Sequence, residues 1–322
     1  MILILKNKYK ITLTTESATL KESINTIAYT LEIGLIKTPE LVKIGITKYD
    51  AIKLYHYIGG TLTKVFDGYA YDINGSDKER TIKITCREKT INMEESEDEY
   101  VFGEGTTATQ RIKQYCKDWG ISLNLNILDT KIGLAKCRNK NTIFTMMWND
   151  LKETAQKGGK LYKYRMEDRL DLYELGTNST VYKLDSIREE SSRKASLSGA
   201  VTQVKVLGKN NKDNVKSPIV GTFKSGYVNA LGTFQKILEQ DDKINTYAAA
   251  KEKALTMFYC GDEIWQFQCC KDIPQIRSGD KVQLGNKFYY VCDITHDIGN
   301  NSMTITAMEK LEYIRGKYYA GN

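Results

Sequence analysis

The nucleophiles and bases available to this chain are two histidines, His56 and His296, and seven cysteines. His56 lies in Leu54-Tyr55-His56-Tyr57 and His296 follows Ile294-Thr295, each at or near the end of a strand-like run. A thiol–imidazole pair could be drawn from Cys260 or Cys292 with His296, the imidazole taking the thiol proton. No local signature accompanies either choice, so ordinary hydrogen-bonded or surface histidines are the expectation. Cys269 and Cys270 are adjacent and would face opposite sides of a strand, unlike the spacing of a closed zinc site. Free, mostly buried thiols fit better. The carboxylate pairs Glu94-Glu95, Glu189-Glu190 and Asp241-Asp242 sit in polar surroundings that would not raise a pKa for acid catalysis. Gly-x-Ser-x-Gly, His-Glu-x-x-His and the phosphate-cradling loop are all missing, and Gly103-Glu104-Gly105 reads as a turn. The expectation is a chain that is not an enzyme, with no catalytic, cofactor-binding or metal residues.

The elements around these residues are mostly short strands. Over residues 1–100, apolar stretches at Ile2 to Leu5, Tyr9 to Leu13, Val42 to Ile46, Ile52 to Tyr57, Val65 to Ile73 and Ile82 to Cys86 are broken by polar turns. Gly59-Gly60 and Asn74-Gly75 are turn signals, the second a hairpin dipeptide. The acidic run Glu94 to Glu99 marks a solvated boundary. Residues 101–180 read as a small α/β unit. Thr106 or Thr107 can cap a helix carrying Ala108, Ile112, Tyr115, Cys116 and Trp119 on one face, which Gly120 stops. After a strand-like Ile121 to Ile127, a second helix carries Phe144, Met147, Trp148, Leu151 and Ala155 and ends at Gly158-Gly159. Both tryptophans fall on helix stripes, which points to core packing. Leu161 to Tyr164 and Leu170 to Leu175 then alternate as strands around Glu167-Asp168.

Residues 181–200 are polar and charged and read as a linker, and 201–322 as a second β unit with one helix. Its strands are expected at Val201 to Leu207, Tyr227 to Ile237, 264–269, 281–284, 287–296 and 302–308, with Thr246 capping a helix whose Ala250, Ala254, Met257 and Phe258 face inward. One pattern occurs twice. Asp50-Ala-Ile52-Lys-Leu54 leads through Gly59-Gly60 to Val65-Phe66 and Asp72-Ile73. Asp280-Lys-Val282-Gln-Leu284 leads through Gly285-Asn286 to Tyr290-Val291 and Asp293-Ile294. The echo suggests two similar β units flanking the α/β middle. The fold class is therefore α+β, mainly β.

With 41% hydrophobic and 27% charged residues in 322, the chain is globular and long enough for two or three domains. Tyrosine is frequent at 21 and proline scarce at three, which suits pleated strands. Met1 to Lys6 is too short an apolar run for a signal peptide, and no stretch approaches the ~20 apolar residues of a membrane span. Synthesis in the cytoplasm and no membrane insertion are expected. The net charge of +7 needs only a lysine-rich surface. The densest basic stretch, Lys205 to Lys224 with Lys209, Lys212 and Lys216, has no aromatic before Phe223 and reads as a solvated loop, not a nucleic-acid site.

From Thr246 to Glu312 the order is a helix with Ala248-Ala249-Ala250, a strand, Ile273-Pro274-Gln-Ile276-Arg-Ser-Gly279-Asp280-Lys-Val282, the aromatic strand Phe288-Tyr-Tyr-Val291, then Ile294-Thr-His296 and Met303-Thr-Ile-Thr306. This resembles the closing domain of the phage baseplate hub family that includes late control protein D and the XkdQ/YqbQ proteins of PBSX-like defective prophages. Val201-Thr-Gln-Val204-Lys-Val206-Leu-Gly208 resembles that family's entry strand. The β, α/β, β order and the length extend the likeness to the whole chain, which is also similar to the base of the VgrG spike. The Pro-x-x-x-x-Gly-Asp-x-Val motif is moderately specific, because cell-wall-associated β modules use it to shape a turn.

The resemblance implies a homotrimer in which two β-barrel-like units per chain make a ring of six. Such a ring would join a sixfold tail tube to a threefold spike, alongside other baseplate and tape-measure proteins of a phage or phage-tail-like particle. The abundant tyrosines would supply contact area. The runner-up is a cell-wall-acting tail protein that binds or hydrolyses peptidoglycan. A monomeric ligand-binding β protein comes third.

Overall fold

In the computed structural model, which describes residues 1–76, 78–210, 214–240, 244 and 246–320, the backbone is mainly β. The first unit comprises β1 (Ile2–Leu5), β2 (Tyr9–Lys10), β3 (Thr15–Ser23), β4 (Thr30–Ile36), α1 (Pro39–Ile44), β5 (Ala51–Ile58), β6 (Thr61–Asn74), β7 (Thr81–Arg87) and α2 (Ile91–Glu95). The middle holds β8 (Glu97–Phe102), α3 (Ala108–Asp118), β9 (Cys137–Thr142), α4 (Ile143–Gln156), β10 (Tyr162–Met166) and β11 (Leu170–Glu174). Next come β12 (Tyr182–Lys183), β13 (Arg188–Ser196), β14 (Gln203–Leu207), β15 (Ile219–Lys224), α5 (Val228–Leu231), β16 (Gln235–Glu239) and α6 (Tyr247–Thr256). The chain closes with β17 (Asp262–Cys269), β18 (Lys281–Leu284), β19 (Lys287–Asp297), β20 (Ser302–Met308) and α7 (Leu311–Ile314).

One 13-stranded sheet runs β13-β17-β20-β19-β3-β4-β7-β6-β5-β1-β2, with β18 joining β19 and β12 joining β18. Strand alternation gives each half an inner face. In the first half Leu3, Leu5, Leu20, Leu31, Ile33, Ile52, Leu54, Phe66 and Ile84 converge on one buried cluster, so the sheet curls around it as a barrel would. In the second half Phe267, Ile276, Val282, Tyr289, Val291, Ile294 and Ile305 do the same.

Between them, α3 and α4 pack their apolar stripes against the β10–β11 hairpin. Trp148 lies with its ring centroid 4.9 Å from that of Tyr319, and Trp119 is partly buried against the same cluster. Arg111 on α3, almost wholly buried, donates to Asp150 on α4 at 2.7 Å and to the Ala135 carbonyl at 2.6 Å. The α3 start is a capping box, in which Thr107 Oγ1 accepts from the Gln110 N–H and Gln110 accepts from the Thr107 N–H. Thr107→Ala is expected to cost about 1 kcal/mol, measured as a lower denaturation midpoint with an unchanged m-value.

Several expectations fail for local reasons. Val42 to Ile46 is no strand: Thr38 caps a helix whose first residue is Pro39, and Gly45 at φ 65° ends it. Ile121 to Ile127 makes a single bridge, Leu123 to Leu170, because Asn124 turns its side chain back onto the Asn126 N–H. Tyr227 to Ile237 divides at Gly232 into α5 and β16. The Asn74-Gly75 dipeptide does not make a two-residue turn, since β7 begins only at Thr81. The linker expected at 181–200 contains β13, nine residues paired to β17 through the backbone while most of its side chains stay exposed. Within 201–322, β14, β15, β16 and α6 form a separate small unit with its own core of Val204, Val206, Phe223, Ala250, Ala254 and Met257.

Candidate functional site at the junction of two like β units

The echo read in the sequence is a repeat of backbone pairing. In the first unit β6 and β7 pair Ala70 with Cys86, skip Tyr71 as a bulge, and resume with Asp72 opposite Thr85 and Ile73 opposite Ile84. In the second, β19 and β20 pair Val291 with Ala307, skip Cys292, and resume with Asp293 opposite Thr306 and Ile294 opposite Ile305. A second strand pair in each unit repeats too. β3 and β4 carry a bulge between Thr15 and Ser17, and β13 and β17 one between Arg188 and Glu190. Thr19 opposite Glu32 then matches Ser192 opposite Gln266.

The turn before each meander is the same object. Asp50 accepts the Thr47 N–H and Asp280 the Arg277 N–H in its carboxylate, at 2.7 and 2.8 Å. Ala70 N–H donates to the Asp50 carbonyl, and Val291 N–H to that of Asp280. The preceding residue takes a left-handed φ in both, 70° at Tyr49 and 87° at Gly279. The register equates Tyr69-Ala70 with Tyr290-Val291, because Ala51 faces Tyr69 as Lys281 faces Tyr290. The sequence echo had set Val65-Phe66 there; the longer β5–β6 hairpin displaces that pair.

The two units meet where β3 lies antiparallel to the distal half of β19, with Ser23 opposite Asp293, Lys21 opposite Thr295 and Thr19 opposite Asp297. The Ser23 hydroxyl donates to the Asp293 carboxylate. At the end of this ladder, Ile24 N–H donates to the Cys292 carbonyl at 2.8 Å, and both side chains are buried.

A buried ionic cluster locks the junction to the middle unit. Glu22 on β3 accepts two hydrogen bonds from Arg277 at 2.7 and 2.8 Å, one from Lys163 on β10 at 2.9 Å, and one from the Ser278 N–H at 2.9 Å. Lys163 also donates to the Ser23 carbonyl and to the Ser278 hydroxyl. Arg165 reaches Asp280 at 2.9 Å and lies over the Tyr173 ring. Burial alone would raise the Glu22 carboxyl, but Arg277 and then Lys163 outweigh it and hold the group well below the ordinary carboxylate range. Burial pushes Lys163 down to about 8 despite its partner Glu22. Glu88, deep beside them and accepting the Tyr29 N–H, is pushed up to about 8 by burial.

The residues weighed for chemistry are not brought together as a reactive site. His296 is fully buried, with Nδ1 2.6 Å from Asp272 and Nε2 3.0 Å from the Ile276 carbonyl. Each ring nitrogen therefore faces an oxygen and neither is left to receive a thiol proton. Burial raises both the Cys292 and Cys260 thiols. Burial lowers His56. Cys269 is buried and Cys270 exposed, as alternation requires. Glu94 is structural, accepting the Ile27 and Ala28 N–H groups, so the acidic run is only partly solvated. Glu189 and Glu190 are exposed on β13. Asp241, Asp242 and Lys212 lie outside the described residues. Lys205 and Lys224 stand on β14 and β15, with Phe223 tilted against Tyr247 in a small core. Among the described residues, no group of three or more His, Cys, Asp or Glu is placed to hold a metal ion, and no helix is long and apolar enough to cross a membrane.

The cluster of Glu22, Lys163 and Arg277 escapes sequence reasoning because its members stand far apart in the chain. The usable signal was a charge at an inward position: Glu22 two residues after Leu20, and Lys163 within the apolar run Leu161 to Tyr164.

A family model described as YQBQ-like matches residues 18–310. No curated protein matches the chain. Among solved structures, the 43 kDa tail protein of prophage MuSo2 from Shewanella oneidensis is similar with a TM-score of 0.69 at 14% identity, over 96% of this chain and 97% of that one. The tail protein from Neisseria meningitidis MC58 is similar at 0.65 and 12%, over 98% of each chain. The Escherichia coli c3393 protein, a component of the type VI secretion system, is similar at 0.53 and 10%, over 99% of this chain and 78% of that one. At such identities the likeness is one of fold.

Proposed function

The chain belongs to the YQBQ-like family, and from that premise we propose that it is a structural protein of a phage or phage-tail-like particle. Its place is the central hub of the baseplate, where three copies join the tail tube to the spike. The observation that carries this reading is the repeated β unit with matched bulges and turns. Two like units per chain turn three copies into six similar positions, which can face a sixfold tube on one side and a threefold spike on the other. Support comes also from the tail proteins of the same fold, matched over nearly their full length. The role needs interfaces and no chemistry, which agrees with a site whose charged groups are spent on one another.

The test is assembly. Mixed with the tube and spike proteins of the same particle, the chain is expected to form a complex holding three copies and both partners, counted by native mass spectrometry. A chain that stays monomeric and binds neither partner overturns the proposal. So does clearing of bacterial cell walls in a zymogram that one Cys, Asp or Glu substitution abolishes, which favours the cell-wall-acting reading instead.

A further inference from the structure

The repeat leaves two strand edges open, and they are the two halves of a junction the chain already makes once. Within the chain, β3 of the first unit pairs with the distal half of β19 of the second. The equivalent of β3 is β13, which stands at the end of the large sheet with β17 as its only strand partner among the described residues. The equivalent of distal β19 is distal β6, which from Asp72 onward has β7 as its only strand partner among the described residues. We propose that β13 of one copy pairs antiparallel with distal β6 of a second copy of this chain, setting Asp72 opposite Ser196, Ile73 opposite Ala195 and Asn74 opposite Lys194. This deepens the ring reading and rests on it only for the number of copies.

The register follows from the internal template by equivalence of backbone positions, and the side chains at those positions agree with it. Ser23 donates to Asp293 at the internal seam; Ser196 and Asp72 would place the same hydroxyl beside the same carboxylate. Lys21 of β3 is answered by Lys194 of β13, and Thr19 by Ser192. Ile24 and Cys292, buried at the seam and joined by a backbone hydrogen bond, have as counterparts Leu197 and Tyr71, which stand 43% and 38% exposed. Those are the apolar side chains that a second copy would cover.

The backbone groups also point the right way. Ala18 accepts from Ile298 and Ile24 donates to Cys292 across the internal seam, so alternate residues of β3 face β19. Because β13 keeps the register of β3 against its neighbour, Arg193 and Ala195 turn their N–H and C=O groups to the open edge and Leu197 its N–H, its carbonyl being taken by the Ala200 N–H. A strand edge with unpaired groups is a template for another strand. Since one chain carries the donor edge and the other the acceptor, the contact is head-to-tail and can close a ring.

Cross-linking tests it. Asn74→Cys and Lys194→Cys chains, mixed in equal amounts and oxidised, are expected to give a covalent dimer whose peptide map joins the two introduced cysteines. Each variant alone, the parent protein with its native thiols, and Asn74→Cys mixed with Arg193→Cys (one residue out of register) are expected to give at least tenfold less. In parallel, Ala195→Pro, which removes one N–H from the open edge only, is expected to abolish association seen by light scattering while circular dichroism stays that of the parent. Copies that associate as trimers without forming the linkage, or that link equally well out of register, overturn the pairing and leave the ring reading standing. Copies that never associate, with or without the spike protein, overturn both.

Discussion

Glu22→Ala is expected to destabilise the fold by about 3–5 kcal/mol, the cost of removing one member of a buried ionic group and leaving the others uncompensated. Glu22 is ion-paired with both Arg277 and Lys163, and all three side chains are largely removed from water. Without it, Lys163 retains the Ser23 carbonyl and the Ser278 hydroxyl, Arg277 loses both hydrogen bonds to Glu22, and the carboxyl beside them is Glu88, which burial pushes up to about 8. The denaturant midpoint should fall, and because the cluster ties β3, β10 and the Arg277–Asp280 turn together, the two β units and the middle should lose protection from hydrogen exchange as one. A loss below about 1 kcal/mol, the scale of an exposed ion pair, would mean that solvent reaches the cluster and that it does not hold the junction. Glu22→Gln keeps acceptor oxygen without the charge and should fall between wild type and Glu22→Ala.

The second large effect is in pH. Burial raises the Glu88 carboxyl to about 8 in the fold, against about 4.3 in an unfolded chain. A carboxyl raised on folding contributes stability that is complete below the unfolded value and is lost as pH rises toward the folded one. Each pH unit in that window costs the fold up to about 1.4 kcal/mol. Asp150, raised to about 6 by burial, shares the lower part of the window, and Lys163 acts with opposite sign only above about 8. Between pH 6 and pH 8 the dependence should therefore be mainly that of Glu88. Glu88→Gln preserves an acceptor for the Tyr29 N–H and cannot ionise. Its stability relative to wild type is expected to improve by about 2–3 kcal/mol from pH 6 to pH 8. Parallel curves for the two proteins would show that Glu88 ionises at an ordinary pH and that its pocket is wet.

What was legible in the sequence follows from how each element is held. The meanders β5–β7 and β18–β20 show apolar alternation and Gly turns, and their Asp50 and Asp280 are read as a pair because both cap the same turn. The helices α3, α4 and α6 announce themselves through Thr caps and apolar stripes. β3 was missed because an inward Glu22 interrupts its alternation, and that charge makes sense only once Lys163 and Arg277 are brought beside it by the fold. β13 reads as a linker because Ala195 is its one apolar residue; its strand character comes from the ladder to β17, which composition does not encode. The separate unit of β14 to α6 was merged with the second β unit for a similar reason: its strands look like the others, and only pairing shows that they belong elsewhere.

That small unit enters and leaves the frame at one spot, where Val201 and Tyr259 exchange both backbone hydrogen bonds, at 2.8 and 3.0 Å. It occupies the place between β13 and β17 at which the first repeat has only the short link from Ser23 to Thr30. An appendage inserted at such a clasp can grow, shrink or be exchanged over generations without shifting any strand of the large sheet by a residue. Variation in length and sequence can accumulate there while the pairing of the large sheet stays constant.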